Sequence, residues 1–128
     1  MRPLHPDDQP VRLGTLEQQV MNVLWDRGSS TIREIIDELP TEPAYTTIAT
    51  VLRNLERKHL VGAHRRRRSV RYHARHSRDV HAANLMSQAL DASGDRAASI
   101  LHFVEGISDD DAALLREYLR RPAPDEHR

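Results

Sequence analysis

Hydrophobic residues at helical spacing predict three short helices in the first half of the chain. The first helix is expected to begin in a capping box headed by Thr15 and to end at Gly28. The second is expected to begin in a capping box headed by Thr31, and the third to span about residues 44–58. The side chains expected to face the core are Leu16, Val20, Val23 and Leu24, then Ile32, Ile35, Ile36 and Leu39, then Ile48, Val51, Leu52 and Leu55.

After the third helix the pattern changes from helical to alternating. Residues 70–74 alternate apolar and polar side chains, as an edge strand does, and residues 61–64 could pair with them. The connection would be residues 65–69, which are four arginines and a serine. A β-hairpin directly after a helix-turn-helix core is the arrangement of winged helix domains, so the pattern predicts that fold.

The last third of the chain returns to helical spacing, and residues 108–111 place three aspartates at a predicted helix N-terminus. These helices are too short and too few for a core of their own, so their apolar faces need a partner. The side chains expected to form a dimer contact are Leu85, Met86, Leu90, Ile100, Leu101, Phe103, Val104, Leu114, Leu115 and Tyr118.

The expected fold is therefore mainly α with a small β-hairpin wing. A winged helix-turn-helix DNA-binding domain would occupy residues 12–77, and a C-terminal helical dimerisation region residues 78–121. Residues 1–11 would form a flexible arm, and residues 122–128 a flexible tail.

Composition removes several classes of function. The chain has no cysteine, which excludes disulfides and thiolate chemistry. No apolar run exceeds the four residues 112–115, and the polar start lacks a signal-peptide core, so we expect a cytoplasmic protein without direct membrane binding. Five scattered glycines form no phosphate loop, and no hydrolase motif is present; neither catalysis nor a cofactor is expected.

Charge is distributed unevenly although the chain is formally neutral. Residues 44–78 contain ten lysines or arginines and one acid, Glu56, which gives this segment a net charge of +9. The other nine basic and eighteen acidic residues give the remainder −9. A basic segment on an acidic body indicates a surface for a polyanion, most simply nucleic acid.

The polar face of the third helix has the composition of a DNA-reading helix. Short threonine side chains allow close approach to base edges, and an arginine can reach guanine. The arginine run would contact phosphates or enter a narrow minor groove. The predicted base-reading residues are Thr46, Thr47, Thr50 and Arg53, and the predicted phosphate contacts are Arg57, Lys58, Arg65, Arg66, Arg67 and Arg68.

The histidines allow a different interpretation. His73, His76 and His81 could bind zinc with Asp79 as a fourth ligand. However, no cysteine assists, and neighbouring cations would oppose a metal ion. We expect basic surface histidines and no metal site.

Several segments resemble the penicillinase repressor (BlaI/MecI-type) family of winged helix regulators. Leu13-Gly14-Thr15-Leu16-Glu17-Gln18-Gln19-Val20-Met21 with Val23-Leu24-Trp25 is similar to its first helix, and Thr31-Ile32-Arg33-Glu34-Ile35 to its second. Ala44-Tyr45-Thr46-Thr47-Ile48-Ala49-Thr50-Val51-Leu52 resembles its third helix, and Arg71-Tyr72 its returning wing strand. The resemblance covers about residues 12–120.

The resemblance implies a homodimeric repressor of palindromic operators that controls β-lactam resistance or related stress genes. It also implies a membrane sensor protease as a partner, with cleavage between His102 and Phe103. His102 stands where the best-known members have asparagine.

Two other functions stay open on the sequence alone. The first is a ligand- or metal-sensing winged helix regulator whose C-terminal helices bind the effector. The second is a protein-interaction module whose basic face binds an acidic partner.

Overall fold

The computed structural model describes residues 13–122, so the arm predicted at residues 1–11 and almost all of the tail predicted at 122–128 lie outside the described residues. Six helices and one two-stranded antiparallel sheet follow each other in the described part, which confirms the mainly α fold with a β-hairpin. In chain order the elements are α1 Thr15–Arg27, α2 Ile32–Glu38, α3 Tyr45–Arg57, β1 Val61–Arg66, β2 Ser69–Ala74, α4 Arg78–Ala92, α5 Arg96–Gly106 and α6 Asp109–Arg120.

Helix α1 starts at Thr15, but the capping box predicted for Thr15 is wrong. The N-cap is Gly14, whose backbone N–H donates to the Glu17 carboxylate at 3.0 Å. Glu17 lies three residues after Gly14, the spacing that a returning carboxylate needs. The amide of Gln18 donates instead to the Asn22 side chain, at 3.2 Å. The helix ends as predicted at Gly28, whose φ of +95° suits glycine.

Helix α2 begins in the predicted capping box. The Glu34 backbone N–H donates to the Thr31 hydroxyl at 3.2 Å, and the Thr31 N–H donates to the Glu34 carboxylate at 3.0 Å. Two backbone donors that the helix itself cannot satisfy are thereby paired.

The core lies between α1, α2, α3 and the hairpin. Most of the side chains predicted to face it are buried, while Leu16 and Val51 are half-buried and pack against it. Met21 is also buried, although its position was not assigned to the core face. The buried apolar residues are Val20, Met21, Val23, Leu24, Ile32, Ile35, Ile36, Leu39, Ile48, Leu52, Leu55, Leu60, Val61 and Tyr72.

The hairpin of β1 and β2, residues 61–74, is called the wing below. The predicted pairing of residues 61–64 with 70–74 is confirmed. The predicted five-residue connection is wrong, because Arg65 and Arg66 continue β1 and only Arg67 and Arg68 form the turn. Such two-residue turns need positive φ, and Arg67 has φ +55°.

One residue of the connection between α1 and α2 forms an antiparallel bridge with strand β2 of the wing. Ser30 donates its backbone N–H to the Tyr72 carbonyl at 2.9 Å and accepts from the Tyr72 N–H at 2.8 Å. Ser30 is fully buried, and its hydroxyl donates to the Gly28 carbonyl at 2.8 Å. The base of the wing is therefore hydrogen-bonded to the helix-turn-helix segment.

Helices α4, α5 and α6 start at capped residues. Ser77, Asp95 and Ser108 each accept the backbone N–H three residues later, and the three aspartates predicted at a helix start lie in the first turn of α6. Among the described residues of these helices, His81 is the only buried side chain. No helix in residues 13–122 has the length and apolar character needed to cross a bilayer.

Candidate nucleic-acid interface

The predicted base-reading side chains form an exposed ridge on α3. Thr46, Thr47, Thr50 and Arg53 are all exposed. The opposite side of the helix carries Ile48, Leu52 and Leu55, which are fully buried. Burial of that side fixes the rotation of α3, so that its threonines point away from the core. The Thr50 hydroxyl donates to the Thr46 carbonyl at 3.0 Å, so its hydrogen is engaged while its oxygen can still accept.

The C-terminal end of α3 carries two predicted phosphate contacts in different environments. The Arg57 guanidinium is exposed and donates to the Asn54 side chain at 2.9 Å. The Lys58 Nζ atom donates to both carboxylate oxygens of Glu17 at 3.0 Å, which ties α3 to α1. The Lys58 ammonium is therefore already paired in the free protein.

The charges of Arg53 and Arg65 both act on the phenol of Tyr72. Burial raises the pKa of the Tyr72 phenol, and Glu56 raises it further, while the charges of Arg65 and Arg53 oppose the shift. Two predicted DNA contacts, one from α3 and one from β1, therefore lie within electrostatic reach of the same hydroxyl.

The remaining arginines of the run lie on a different surface. Arg66, Arg67 and Arg68 line a cavity of about 580 Å³ together with His64, Ser69 and Arg71. The Arg71 guanidinium donates to the Glu34 carboxylate and to the Ser29 carbonyl, each at 3.1 Å. The Thr31 backbone hydrogen bond lowers the pKa of the Glu34 carboxyl, and the charges of Arg71 and Arg27 act in the same direction. Glu34 therefore stays ionised and holds the wing against α2.

A cluster around Trp25 joins the winged helix part to α4. The indole N–H donates to the His76 carbonyl at 2.9 Å, and the His81 ring lies 5.4 Å from the Trp25 ring. The Arg78 guanidinium stacks over the indole at 5.0 Å and pairs with Asp26 at 3.0 Å. Burial lowers the pKa of His81, and nearby His76 lowers it further. The sequence analysis did not predict this cluster, because its contacts link residues about fifty positions apart.

The histidines considered for zinc do not form a ligand cluster. Within residues 13–122, no three or more histidine or carboxylate side chains are arranged to hold a metal ion. The His73 ring lies over Gly62, and His81 is packed on Trp25.

Most of the side chains predicted to form the dimer contact are exposed to solvent. Leu85 and Leu90 are half-buried, and the others are exposed, as are Val80 and Leu119, which were not predicted. An apolar groove of about 330 Å³ runs between α4 and α5 and is lined by Met86, Ala89, Leu90, Ser99, Ile100 and Phe103. The predicted cleavage residues His102 and Phe103 are both exposed in the middle of α5, and the His102 ring lies 3.6 Å from Glu105.

Tyr45 is a further exposed residue that sequence reasoning left out of the site. It is the first residue of α3, and 53% of it is exposed. The N-terminal residues of a reading helix are those closest to base edges, so Tyr45 belongs to the candidate interface. Its adjacency to the threonine pair in the Ala44–Thr47 block was the available signal.

Comparisons with known proteins identify similar sequences and a similar fold. Residues 13–121 match the sequence profile of the family described as penicillinase repressor. The transcriptional regulator BlaI of Mycobacterium tuberculosis (strains CDC 1551 / Oshkosh and ATCC 25618 / H37Rv) is 43% identical over 114 residues, which span 84% of this chain and 83% of the relative. Among solved structures, YusO of Bacillus subtilis is similar in fold, with a TM-score of 0.50 and 17% sequence identity, over 87% of this chain and 77% of that one.

Proposed function

The chain belongs to the penicillinase repressor family and is a DNA-binding transcriptional repressor with a winged helix fold; we propose that it acts in the cytoplasm as a homodimer on palindromic operators. This family consists of regulators and not enzymes, in agreement with the sequence prediction. The observation that carries the proposal is the exposed threonine and arginine ridge of α3, which lies beside the basic wing.

In this proposal α3 reads base edges in the major groove. Thr46, Thr47 and Thr50 offer hydroxyls and methyl groups at close range, and Arg53 reaches a guanine. Tyr45 adds an aromatic ring at the helix N-terminus. The exposure of all five side chains supports this assignment.

Phosphate contacts set the register of α3 on the duplex. The exposed cations proposed for these contacts are Arg57 at the end of α3 and Arg65, Arg66, Arg67 and Arg68 of the wing. Lys58 remains a proposed contact, although it already pairs with Glu17.

The DNA-binding unit would comprise residues 12–77, and residues 78–121 would form the dimer. Exposed apolar side chains on α4, α5 and α6 support this division, because faces of this kind are normally covered. A second copy supplies a matching set of side chains by two-fold symmetry. In the proposed dimer, the exposed apolar side chains Leu114, Leu115 and Tyr118 of α6 cover the groove between α4 and α5 of the partner subunit.

Two-fold symmetry makes the target an inverted repeat, with the two reading helices separated by a whole number of DNA turns. From the family we propose β-lactam resistance or related stress genes as targets. We also propose that a membrane sensor protease relieves repression by cutting between His102 and Phe103, which lie on the exposed side of α5. Mass spectrometry of the chain after induction would identify that cut by its two fragments.

Selection of bound fragments from sheared genomic DNA tests the function. We expect the enriched fragments to share an inverted repeat that binds roughly 10³-fold or more tightly than random duplex at equal salt. Equal affinity for enriched and random duplexes across a salt titration would refute base reading.

A further inference from the structure

One group of side chains holds the start of α4 against the end of α1. We call it the Trp25 cluster, and its members are Trp25, Asp26, His76, Arg78 and His81. The Trp25 indole N–H donates to the His76 carbonyl at 2.9 Å. Arg78, the first residue of α4, stacks over the indole at 5.0 Å and pairs with Asp26 at 3.0 Å. The His81 ring lies 5.4 Å from the Trp25 ring, so the cluster holds the first turn of α4.

The connection that leads into α4 is short and is fixed at both ends. It consists of residues 75–77, between β2 and α4. Arg75 donates its backbone N–H to the Leu60 carbonyl at 3.0 Å. Ser77 caps α4 by accepting the Val80 N–H at 3.3 Å. Since this connection has no slack, the side chains that contact the first turn of α4 set the direction of the helix.

The opposite side of α4 is packed less closely. A cavity of about 180 Å³ lies between α4 and the segment in which α3 ends and β1 begins, and its lining includes His59, Leu60, Asn84 and Leu85. Atoms that line a void lack packing partners on one side. The direction of α4 therefore depends mainly on the Trp25 cluster.

The direction of α4 determines where a second subunit would lie. The 15 residues of α4 span about 22 Å, and its middle and last turns carry Leu85, Met86 and Leu90, which are proposed to contact the partner. A tilt of about 10° at the first turn would move the far end of a helix of this length by about 4 Å. That displacement is close to the rise of about 3.4 Å per base pair in duplex DNA.

We propose that Trp25 and Arg78 are positioning residues that fix the distance between the two reading helices and thereby select the spacing of the half-sites in the operator. This inference rests on the proposed function. Neither side chain is proposed to contact DNA, so both would act through the placement of α4. A dimer with rigidly held reading helices engages two half-sites only at a matching distance, whereas a loosened dimer tolerates several distances.

The experiment varies the distance between the half-sites. The probes are the inverted-repeat duplex enriched from genomic DNA, the same repeat with one base pair inserted or removed at its centre, and a single half-site duplex. The variants are Trp25→Leu and Arg78→Gln. The matched control is Arg96→Gln, which removes an ion pair with Asp91 that is about as exposed as the ion pair of Arg78 but lies outside the cluster. Circular dichroism and sedimentation velocity check that each variant folds and dimerises.

We expect the wild type to bind the unaltered repeat roughly tenfold more tightly than either altered repeat, because a misplaced half-site weakens the second contact. Trp25→Leu and Arg78→Gln should reduce this difference to about threefold or less, since a loosened dimer can adapt. Their affinity for the single half-site should stay close to that of the wild type. Arg96→Gln should retain the full difference between spacings.

A wild-type spacing preference in Arg78→Gln, whose side chain is half exposed, would overturn the proposal. Weaker binding of that variant to the single half-site, or loss of its dimer, would also overturn it, because the cluster would then serve only folding or assembly. If the wild type binds all three spacings equally but more tightly than the single half-site, this proposal fails and the proposed function stands. If the wild type binds the repeat no more tightly than the single half-site, the proposed homodimer itself is wrong.

Discussion

The Nζ atom of Lys58 lies 3.0 Å from both carboxylate oxygens of Glu17 and thereby links the end of α3 to α1. The Glu17 side chain is only 14% exposed, so this ion pair is partly shielded from water. Arg57, the preceding residue, instead lies on the exposed surface of α3. These neighbouring cations therefore have different roles in the free protein.

We predict different salt responses when each cation is removed. Arg57→Ala should lower the salt slope of DNA binding by about one per subunit, because it deletes a phosphate contact. Lys58→Ala should change the slope less and instead lower the free energy of unfolding by about 1 kcal/mol or less, since partly exposed ion pairs contribute little. Fluorescence anisotropy at several salt concentrations and urea unfolding measure the two effects. Equal slope changes would show that Lys58 contacts phosphate as Arg57 does.

Arg53 is predicted to read one base pair. Arg53→Ala should weaken binding to the enriched repeat by about 1–3 kcal/mol and relax the preference at a single position in each half-site. Arg53→Lys keeps the charge without the guanidinium fork and should leave affinity for random duplex close to that of the wild type. Competition binding against single-base variants of the repeat checks this, and undiminished discrimination in Arg53→Ala would remove Arg53 from the reading surface.

Phe103 is predicted to lie in the dimer contact. Phe103→Asp should produce monomers, because the new carboxylate would have to be buried without a partner. Loss of the second half-site should then reduce affinity for the repeat by about 10²-fold or more. His102→Asp adds the same charge at the neighbouring position of α5, which is not assigned to the dimer contact, and should leave the dimer intact. Sedimentation velocity distinguishes the two variants, and a dimeric Phe103→Asp chain would contradict the assignment.

His81 is predicted to make stability depend on pH. Its pKa is lowered from 6.5 by burial, so the unfolded chain binds a proton more readily than the folded chain. Stability should therefore fall as the pH drops below about 6.5, until the folded state is also protonated. The carboxyls of Glu34 and Asp79, whose pKa values are lowered from 4.5 and 3.8, lose their contribution only at more acidic pH.

Urea unfolding at pH 7.5 and pH 5.5 tests this prediction. His81→Phe keeps an aromatic ring against Trp25 and should reduce the pH dependence in this interval. The matched control is His64→Gln, which removes an exposed histidine of the wing. An unchanged pH dependence in His81→Phe would assign the effect to another group.

Local signals in the sequence predicted most of the winged helix part. The Thr31 capping box, the core faces of the first three helices and the change to alternation at the wing all depend on residues a few positions apart. The start of α1 shows the limit of such signals, because the sequence predicted a capping box headed by Thr15, whereas in the fold Gly14 is the N-cap and Glu17 the returning group. The arginine run was assigned wholly to a turn because hairpin length depends on pairing with Ser69, which charge does not reveal.

The candidate site was predictable in composition but not in arrangement. Helical periodicity placed Thr46, Thr50 and Arg53 on the exposed side of α3, as the structure has them. The ion pair of Lys58 with Glu17 joins residues 41 positions apart. The ring contact of Trp25 with His81 joins residues more than fifty positions apart. Contacts of this kind come from tertiary packing, so no local pattern in the sequence indicates them.

The paired backbone bonds of Ser30 and Tyr72 have a mechanical consequence. A two-stranded hairpin attached only by its ends would bend at its base, but these bonds brace that base against the α1–α2 connection. The Arg71–Glu34 ion pair adds a second brace farther along the strand. A force on the turn of the wing is therefore transmitted to the first turn of α2, because the hairpin does not bend at its base.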